Sequence, residues 1–243
     1  VIYEWKMDGV VRNYGDALAE LITPPSVYNA WYNDTENMYF PLGSVICNEI
    51  IDETLRQGYK PIFISCGWRG EGLDPQLVDA CEFIGARGPY TQMELEKHGV
   101  DVEVSKDPAY ILPNILTKAA PNALAIVVRH IKDPSDYNKF THHEYGADAV
   151  ISAVIETIDE TIAMVHKISG ARFVLAGSMH AAITAHAYDV PFALLDGPYI
   201  NCLPKWYDWF ASVDLGEPVF VSNVAEGRKW YNDNVRNRNI NGI

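Results

Sequence analysis

The run Ala176-Gly177-Ser178-Met179-His180-Ala181-Ala182 gathers the residue types best suited to chemistry in this chain. Ser178 is a good helix N-cap and puts His180 in the first helical turn. The free backbone N–H groups of such a turn, with the positive end of the helix dipole, make an anion site just beyond a strand. The alanines after it let the helix pack close to a sheet. The plainer reading is an ordinary capped strand-turn-helix with a surface histidine. Arg129 follows the apolar run Ala123-Leu124-Ala125-Ile126-Val127-Val128, so it is expected at the mouth of a strand, where open α/β sheets take ligands. A guanidinium there can grip a carboxylate or phosphate in bidentate fashion; a strand-end arginine paired to a nearby acid is the alternative. In Asn13-Tyr14-Gly15-Asp16, Gly15 permits an unusual backbone angle and Asp16 can cap a helix. Held at a cleft edge, the same carboxylate can accept a proton from a hydroxyl.

Other chemistries find less support. His130 and the His142-His143 pair are weaker candidates: adjacent histidines rarely face the same way on regular structure, and metal ligation is not expected without acidic or cysteine partners. Cys47, Cys66, Cys81 and Cys202 are far apart, form no C-x-x-C pair and read as free thiols of a reducing compartment. No metal site is expected. The chain has no G-x-G-x-x-G, no Walker pattern and no G-x-S-x-G elbow.

The elements that must carry these residues alternate. Val1–Trp5 reads as a strand and 17–22 as a helix stopping before Pro24-Pro25. Lys60–Gly67 looks like a buried strand running into a glycine turn, and 82–87 like another. Gly88-Pro89 opens a helix ending near Gly99, and 100–104 is a short strand. Beyond Pro113, residues 114–122 read as a linker. Then come a strand at 123–129, an amphipathic helix over 149–168 from the spacing of Val150, Val154, Ile158, Ile162 and Val165, strands at 172–176 and 191–195, and the small-residue helix from Ser178 between them. This order predicts an α/β protein with parallel sheets: two Rossmann-like domains, 1–113 and 123–243, facing a cleft, the second ending in a helix.

Composition bounds the partners. The chain has 243 residues, 48% hydrophobic and 21% charged, which excludes a disordered tail or a disulfide-stapled mini-domain. Its 19 Lys and Arg against 32 Asp and Glu give a formal charge of −13, unsuited to nucleic acid. A few converging cations still suffice for a small anion. Apolar runs are too short to cross a bilayer, no signal peptide is visible, and the cytoplasm is the expected compartment. The chain opens at Val1 without a Met, which leaves room for an upstream piece.

Taken in order, these pieces resemble the polysaccharide pyruvyl transferase family. The resemblance runs through Asn13-Tyr14-Gly15-Asp16, Ser65-Cys66-Gly67, Ala86-Arg87-Gly88-Pro89-Tyr90-Thr91 with Leu95 and Gly99, Asp107-Pro108-Ala109-Tyr110-Ile111-Leu112-Pro113, Arg129, and Ser178-Met179-His180-Ala181 with Ala185, Ala187 and Pro191. Lys205-Trp206-Tyr207-Asp208-Trp209 is similar to a stretch in members acting on bacterial exopolysaccharides. Two departures stand out: some members carry Arg-Leu-His where this chain has Ser178-Met179-His180, and Lys106 replaces the glycine usual before Asp-Pro-Ala.

The resemblance implies a glycosyltransferase-B-like fold with an acceptor-side first domain and a donor-binding second. It implies transfer of a pyruvyl group from phosphoenolpyruvate, as co-substrate without further cofactor, to two hydroxyls of a saccharide, free or lipid-linked, in the cytoplasm or peripherally at the inner membrane face. His180 suits an acid or phosphate-binding role; Arg129, Ser178 and Met179 would hold the donor; Asp16, from the facing domain, would be the base or touch the acceptor. Asn13, Gly15, Arg87 and Lys205 would serve the acceptor or the structure, and Trp5, Trp31 or Trp68 could stack on sugar faces. The competing readings are a nucleotide-sugar glycosyltransferase, with the His180 helix on a diphosphate and an acid near Asp196 on the ribose, and an inactive carbohydrate-binding relative.

Overall fold

The computed structural model describes residues 1–3, 6–7, 11–131, 142–197 and 202–236. In chain order the strands are β1 (Lys6–Met7), β2 (Val11–Asn13), β3 (Asn37–Phe40), β4 (Lys60–Phe63), β5 (Glu82–Phe83), β6 (Ala125–Arg129), β7 (Ala149–Ser152), β8 (Val154–Ile155), β9 (Phe173–Ala176), β10 (Phe192–Leu195) and β11 (Phe220–Val221). The helices are α1 (Tyr14–Ile22), α2 (Pro25–Tyr32), α3 (Asn48–Arg56), α4 (Pro75–Asp79), α5 (Pro89–Glu96), α6 (Leu112–Ile115), α7 (Ile158–Gly170), α8 (Met179–Ala187), α9 (Leu203–Ser212) and α10 (Val224–Tyr231). Of the strand expected at Val1–Trp5, Ile2 makes a parallel bridge to Tyr39, while Glu4 and Trp5 lie outside the described residues.

Two compact units form, and neither is one continuous stretch. The first holds Val1–Trp5, Leu18–Pro108 and Cys202–Glu217; the second holds Lys6–Ala17, Ala109–Asn201 and Pro218–Ile243. The single division drawn at 114–122 differs from this. Part of that stretch turns into α6, and the segments that change unit do so through pairing invisible in composition: β2 pairs with β8, and α9 is held by a buried ion pair.

In the first unit, β3, β4 and β5 form a parallel sheet in that order. Tyr3, Phe40, Phe63 and Phe83 stack along it with successive ring centroids 4.6, 4.6 and 5.2 Å apart. Ile46, Ile51, Cys66 and Leu95 complete this core. Residues 100–104, expected as a strand, contribute a single bridge, Val104 to Ala86. Beyond β5, Arg87 is fully buried. Its guanidinium donates to Ser44 Oγ (2.6 Å), the Lys205 carbonyl (3.3 Å) and Asp208 Oδ2 (3.2 Å). Asp208, equally buried, also accepts from the Thr91 N–H (2.9 Å) and hydroxyl (2.8 Å). Two glycines make the approach possible: a Cβ at Gly67 would fall 2.0 Å from Arg87 Nη2, and one at Gly88 would fall 2.2 Å from the Asp208 carbonyl oxygen.

In the second unit, a five-stranded parallel sheet has the order β11-β10-β9-β6-β7. Strands β6, β9 and β10 are buried throughout, as a sheet covered on both faces requires. A small antiparallel sheet, β1-β2-β8, completes the unit. The amphipathic helix expected over 149–168 is corrected here. Its first part is β7 and β8, where Val150, Ile151, Val154 and Ile155 follow the β-branched preference for extended backbone. Helix α7 begins only after Thr157, whose hydroxyl and Glu160 form a capping box. Helix α8 lies close to β9 and β10 because Ala181, Ala182 and Ala185 are small and fully buried.

Two stability outcomes follow from the first unit. Asp208→Ala strips the buried guanidinium of its counter-charge and Thr91 of its acceptor, so it is expected to cost about 3–5 kcal/mol, read as a lower denaturant midpoint; a loss under 1 kcal/mol would contradict the role given to the pair. Lys106 sits at φ +62° with an exposed side chain. A left-handed conformation costs an L-residue about 1–2 kcal/mol, against about 0.4–1 kcal/mol lost to glycine's freer unfolded chain. Lys106→Gly should therefore raise stability by about 0.5–1 kcal/mol, measured by the same unfolding curves.

Candidate functional site

The sheet of the second unit starts at β6, adds β7 on one side, then crosses to β9 on the other. Loops leaving β6 and β9 therefore part in opposite directions, and ligands of open α/β sheets settle at such a switch point, outside the carboxyl ends of the strands. Arg129 is the last residue of β6, and β9 runs through Gly177-Ser178 into α8. The Gly177 N–H donates to the Val128 carbonyl (2.7 Å), and a Cβ at Gly177 would come within 3.2 Å of Arg129 Cβ. The arginine stem thus lies beside the turn that opens α8. Arg129 is 6% exposed, and its guanidinium donates to the Tyr145 hydroxyl.

His180, in the first turn of α8, is 7% exposed, buried rather than at the surface. Its ring lies over Gly15, where a Cβ would fall 2.2 Å from Nδ1. Gly15 is not at positive φ; the expected unusual angle is replaced by a need for close approach. Tyr14 and Thr184 hold the same two segments together through a buried hydroxyl pair 3.0 Å apart. Burial pushes the Tyr14 phenol well above its ordinary range, with the Thr184 hydrogen bond opposing. Ser178 occupies the N-cap position of α8 in extended backbone, yet its side chain makes no capping bond. That corrects the expected cap and leaves the first-turn N–H groups uncapped by Ser178. Met179 is the first residue of the helix and is buried.

Asn13 ends β2, and its buried Oδ1 has no hydrogen-bond partner among the described residues. Helix α1 starts at Tyr14, so Asp16 lies inside its first turn, half-buried, and is not the cap. Nor does Asp16 belong to an opposing domain: Lys6–Ala17 is part of the unit that carries Arg129 and His180. The fold thus brings Asn13, Gly15, Asp16, Arg129, Ser178, Met179 and His180 into one unit.

Arg87 and Lys205 belong to the other unit. Arg87 is the buried partner of Asp208. Lys205 is half-buried in the first turn of α9, its ammonium 5.5 Å from the Trp206 ring centre. Burial pushes its pKa down to about 8; Cys202 opposes this, and the Arg87 and Arg69 charges add to it. Trp31 stacks on Tyr39 at 4.9 Å, and the Trp68 indole N–H donates to the Glu71 carbonyl (2.6 Å). Trp5 lies outside the described residues. Tyr145, Thr184 and Arg69 escaped the sequence reading. Arg69 follows the strand β4 by a few residues, much as Arg129 ends β6, and that signal could have found it. His142 and His143 share one helical turn with ring centroids 4.0 Å apart. Among the described residues no group of three or more His, Cys, Asp or Glu is gathered as metal ligands, and no helix is long and apolar enough to cross a membrane.

The chain is similar in fold to the crystal structure of an uncharacterized protein from Klebsiella pneumoniae subsp. pneumoniae NTUH-K2044, with a TM-score of 0.53 and 13% identity over 91% of this chain and 92% of that one. The shared fold is mixed α/β with parallel sheets, consistent with Rossmann-like architecture. No curated protein matches the chain. Residues 34–197 match the family model described as Polysaccharide pyruvyl transferase. This stretch takes in the Arg87 and Arg129 segments and the whole of α8, and the chain belongs to the polysaccharide pyruvyl transferase family.

Proposed function

We propose that this protein moves the pyruvyl group of phosphoenolpyruvate onto two hydroxyls of one sugar, in a polysaccharide or its precursor, forming a cyclic ketal and releasing phosphate. The glycosyltransferase-B-like pairing of the two units is part of the same proposal. The observation that carries the reading is the convergence of Arg129 and the His180 turn of α8 at the switch point of one parallel sheet, in a member of this family.

The donor is a small compound with two anionic ends, a carboxylate and a phosphate. Arg129 offers a planar fork for one end, and the N–H groups from Met179 onward offer a helix N-terminus for the other. Protonation of the methylene carbon, C3, makes it a methyl group and leaves C2 electron-poor. The first sugar hydroxyl adds to C2 and gives up its proton. The C2–O bond to phosphate then breaks, phosphate leaving with the bonding pair. The second hydroxyl closes the ring at C2 and loses its own proton. Two protons leave the hydroxyls; one ends on C3 and the other on phosphate, so no oxidant or reductant is required. His180 is the acid at the donor, because an imidazole nitrogen in the first turn of α8 can carry a proton to the donor. Asp16 is the base toward the acceptor hydroxyl. The acceptor is a saccharide, free or lipid-linked, and the reaction belongs to the cytoplasm or the inner face of the membrane.

His180→Ala is expected to lower turnover, followed as phosphate release, by at least about a hundredfold; a wild-type rate would remove His180 from the chemistry. Arg129→Lys keeps the charge and loses the fork, so phosphoenolpyruvate affinity measured by calorimetry should fall. Unchanged affinity would make Arg129 a structural residue.

A further inference from the structure

The end of β6 is held by main chain on both sides. The Gly177 N–H reaches the Val128 carbonyl from the β9 side, and the Ala153 N–H, just past β7, donates to the Arg129 carbonyl (2.8 Å). The strand end is therefore fixed without the Arg129 side chain. That side chain donates Nη1 to Tyr145, the last residue of the short turn His142–Tyr145. Main chain closes this turn too. The Gly146 N–H donates to the His143 carbonyl (3.0 Å), the Ala147 N–H to the His142 carbonyl (2.9 Å), and Gly146 at φ +59° lets the chain swing toward β7. Neither segment needs the Arg129–Tyr145 bond to keep its course.

Elementary chemistry fixes the direction of that bond. A guanidinium carries N–H donors and no acceptor, so the phenolic oxygen accepts, and a hydroxyl that accepts still has one proton to give. Among the described residues the Tyr145 hydroxyl has Arg129 as its hydrogen-bond partner and no acceptor for its own proton. Tyr145 is half-buried, so the hydroxyl is not sealed into the core. A bond from a charged donor is among the strong ones, and hydrogen bonds in a chain strengthen one another. The phenol is thus a strengthened donor with its proton unspent, one bond from the arginine at the switch point of the sheet. Its best acceptor is an oxyanion.

We infer that Tyr145 is a further donor-binding residue, whose hydroxyl accepts from Arg129 and gives its own proton to the oxyanion of phosphoenolpyruvate that Arg129 grips. The inference rests on the transferase reading, which supplies that oxyanion. Arg129 then has a neutral hydroxyl on the side of the chain entering β7 and the α8 turn on the side of β9.

Calorimetry of the whole protein with phosphoenolpyruvate compares the wild type with Tyr145→Phe, which keeps the ring and removes the hydroxyl. Affinity is expected to fall at least about tenfold, as for a lost hydrogen bond to a charged group, with the denaturant midpoint near that of the wild type. Unchanged affinity, with or without a lowered midpoint, would make the bond structural and overturn the inference. A near-ultraviolet difference spectrum at saturating phosphoenolpyruvate separates direct contact from mere support of Arg129. A hydroxyl that passes its proton to the donor gives a tyrosine band on binding that Tyr145→Phe lacks. Identical difference spectra in the two proteins would leave Tyr145 as a prop for the arginine and overturn the contact. The two readings fail separately. A wild-type protein that binds no phosphoenolpyruvate removes the transferase reading and the inference with it, whereas wild-type binding that Tyr145→Phe leaves intact removes the inference alone.

Discussion

A guanidinium that no water reaches needs acceptors from within the protein, and in the first unit this requirement draws in three segments of chain. Arg87 takes Ser44 from the loop after β3 and Asp208 and the Lys205 carbonyl from α9, while Thr91 of α5 completes the shell of Asp208. Gly67 and Gly88 are small because the pair needs the room. An isolated buried charge would cost several kcal/mol, and a paired one roughly breaks even against apolar packing. What the pair supplies is position: Asp208 of α9 lies 121 residues further along the chain than Arg87 and fixes the helix against the ends of β4 and β5. The placement of Pro204 against Gly70, and of Lys205 in the first turn of α9, follows from that anchoring.

The second unit solves a different problem with neutral contacts. A parallel sheet presents its loops at one edge, and the crossing from β7 to β9 opens that edge between β6 and β9. Helix α8 can begin there because Ala181, Ala182 and Ala185 on its buried side are small, which lets the backbone, and with it the positive end of the dipole, sit close to Arg129. Gly15 extends the same economy of side chains. Without a Cβ it accepts the His180 ring at contact distance, and the Tyr14–Thr184 hydroxyl pair holds that approach in register.

Both units set a cation beyond the end of a parallel strand, although the chain as a whole is strongly acidic. The settings differ. In the second, Arg129 lies beside the turn that opens α8. In the first, Arg87 is buried against Asp208, and burial pushes the Lys205 pKa down to about 8. Net charge describes solubility and long-range attraction; the local arrangement of a few side chains decides which anions are held.

Much of this was legible in the sequence because the signals were local. The apolar run before Arg129 specified a buried strand with a cation at its end, Gly88-Pro89 specified a helix start, and the alanine-rich stretch after Ser178 specified a helix lying close to a sheet. The order of the motifs named the family. Local signals failed where two structures share a pattern: the spacing of Val150, Val154 and Ile158 fits one face of a helix, yet β-branched residues up to Ile155 form strands and the helix waits for the Thr157 cap. They also failed wherever the partner lay far along the chain. That His180 rests on Gly15, that Asp208 neutralises Arg87, that Asp16 shares a unit with His180, and that the start of α9 meets Arg69 and Gly70 were decided by tertiary structure. Spacing along a chain encodes which face a residue takes on its own helix or strand; which face it meets is set by packing between segments that no spacing connects.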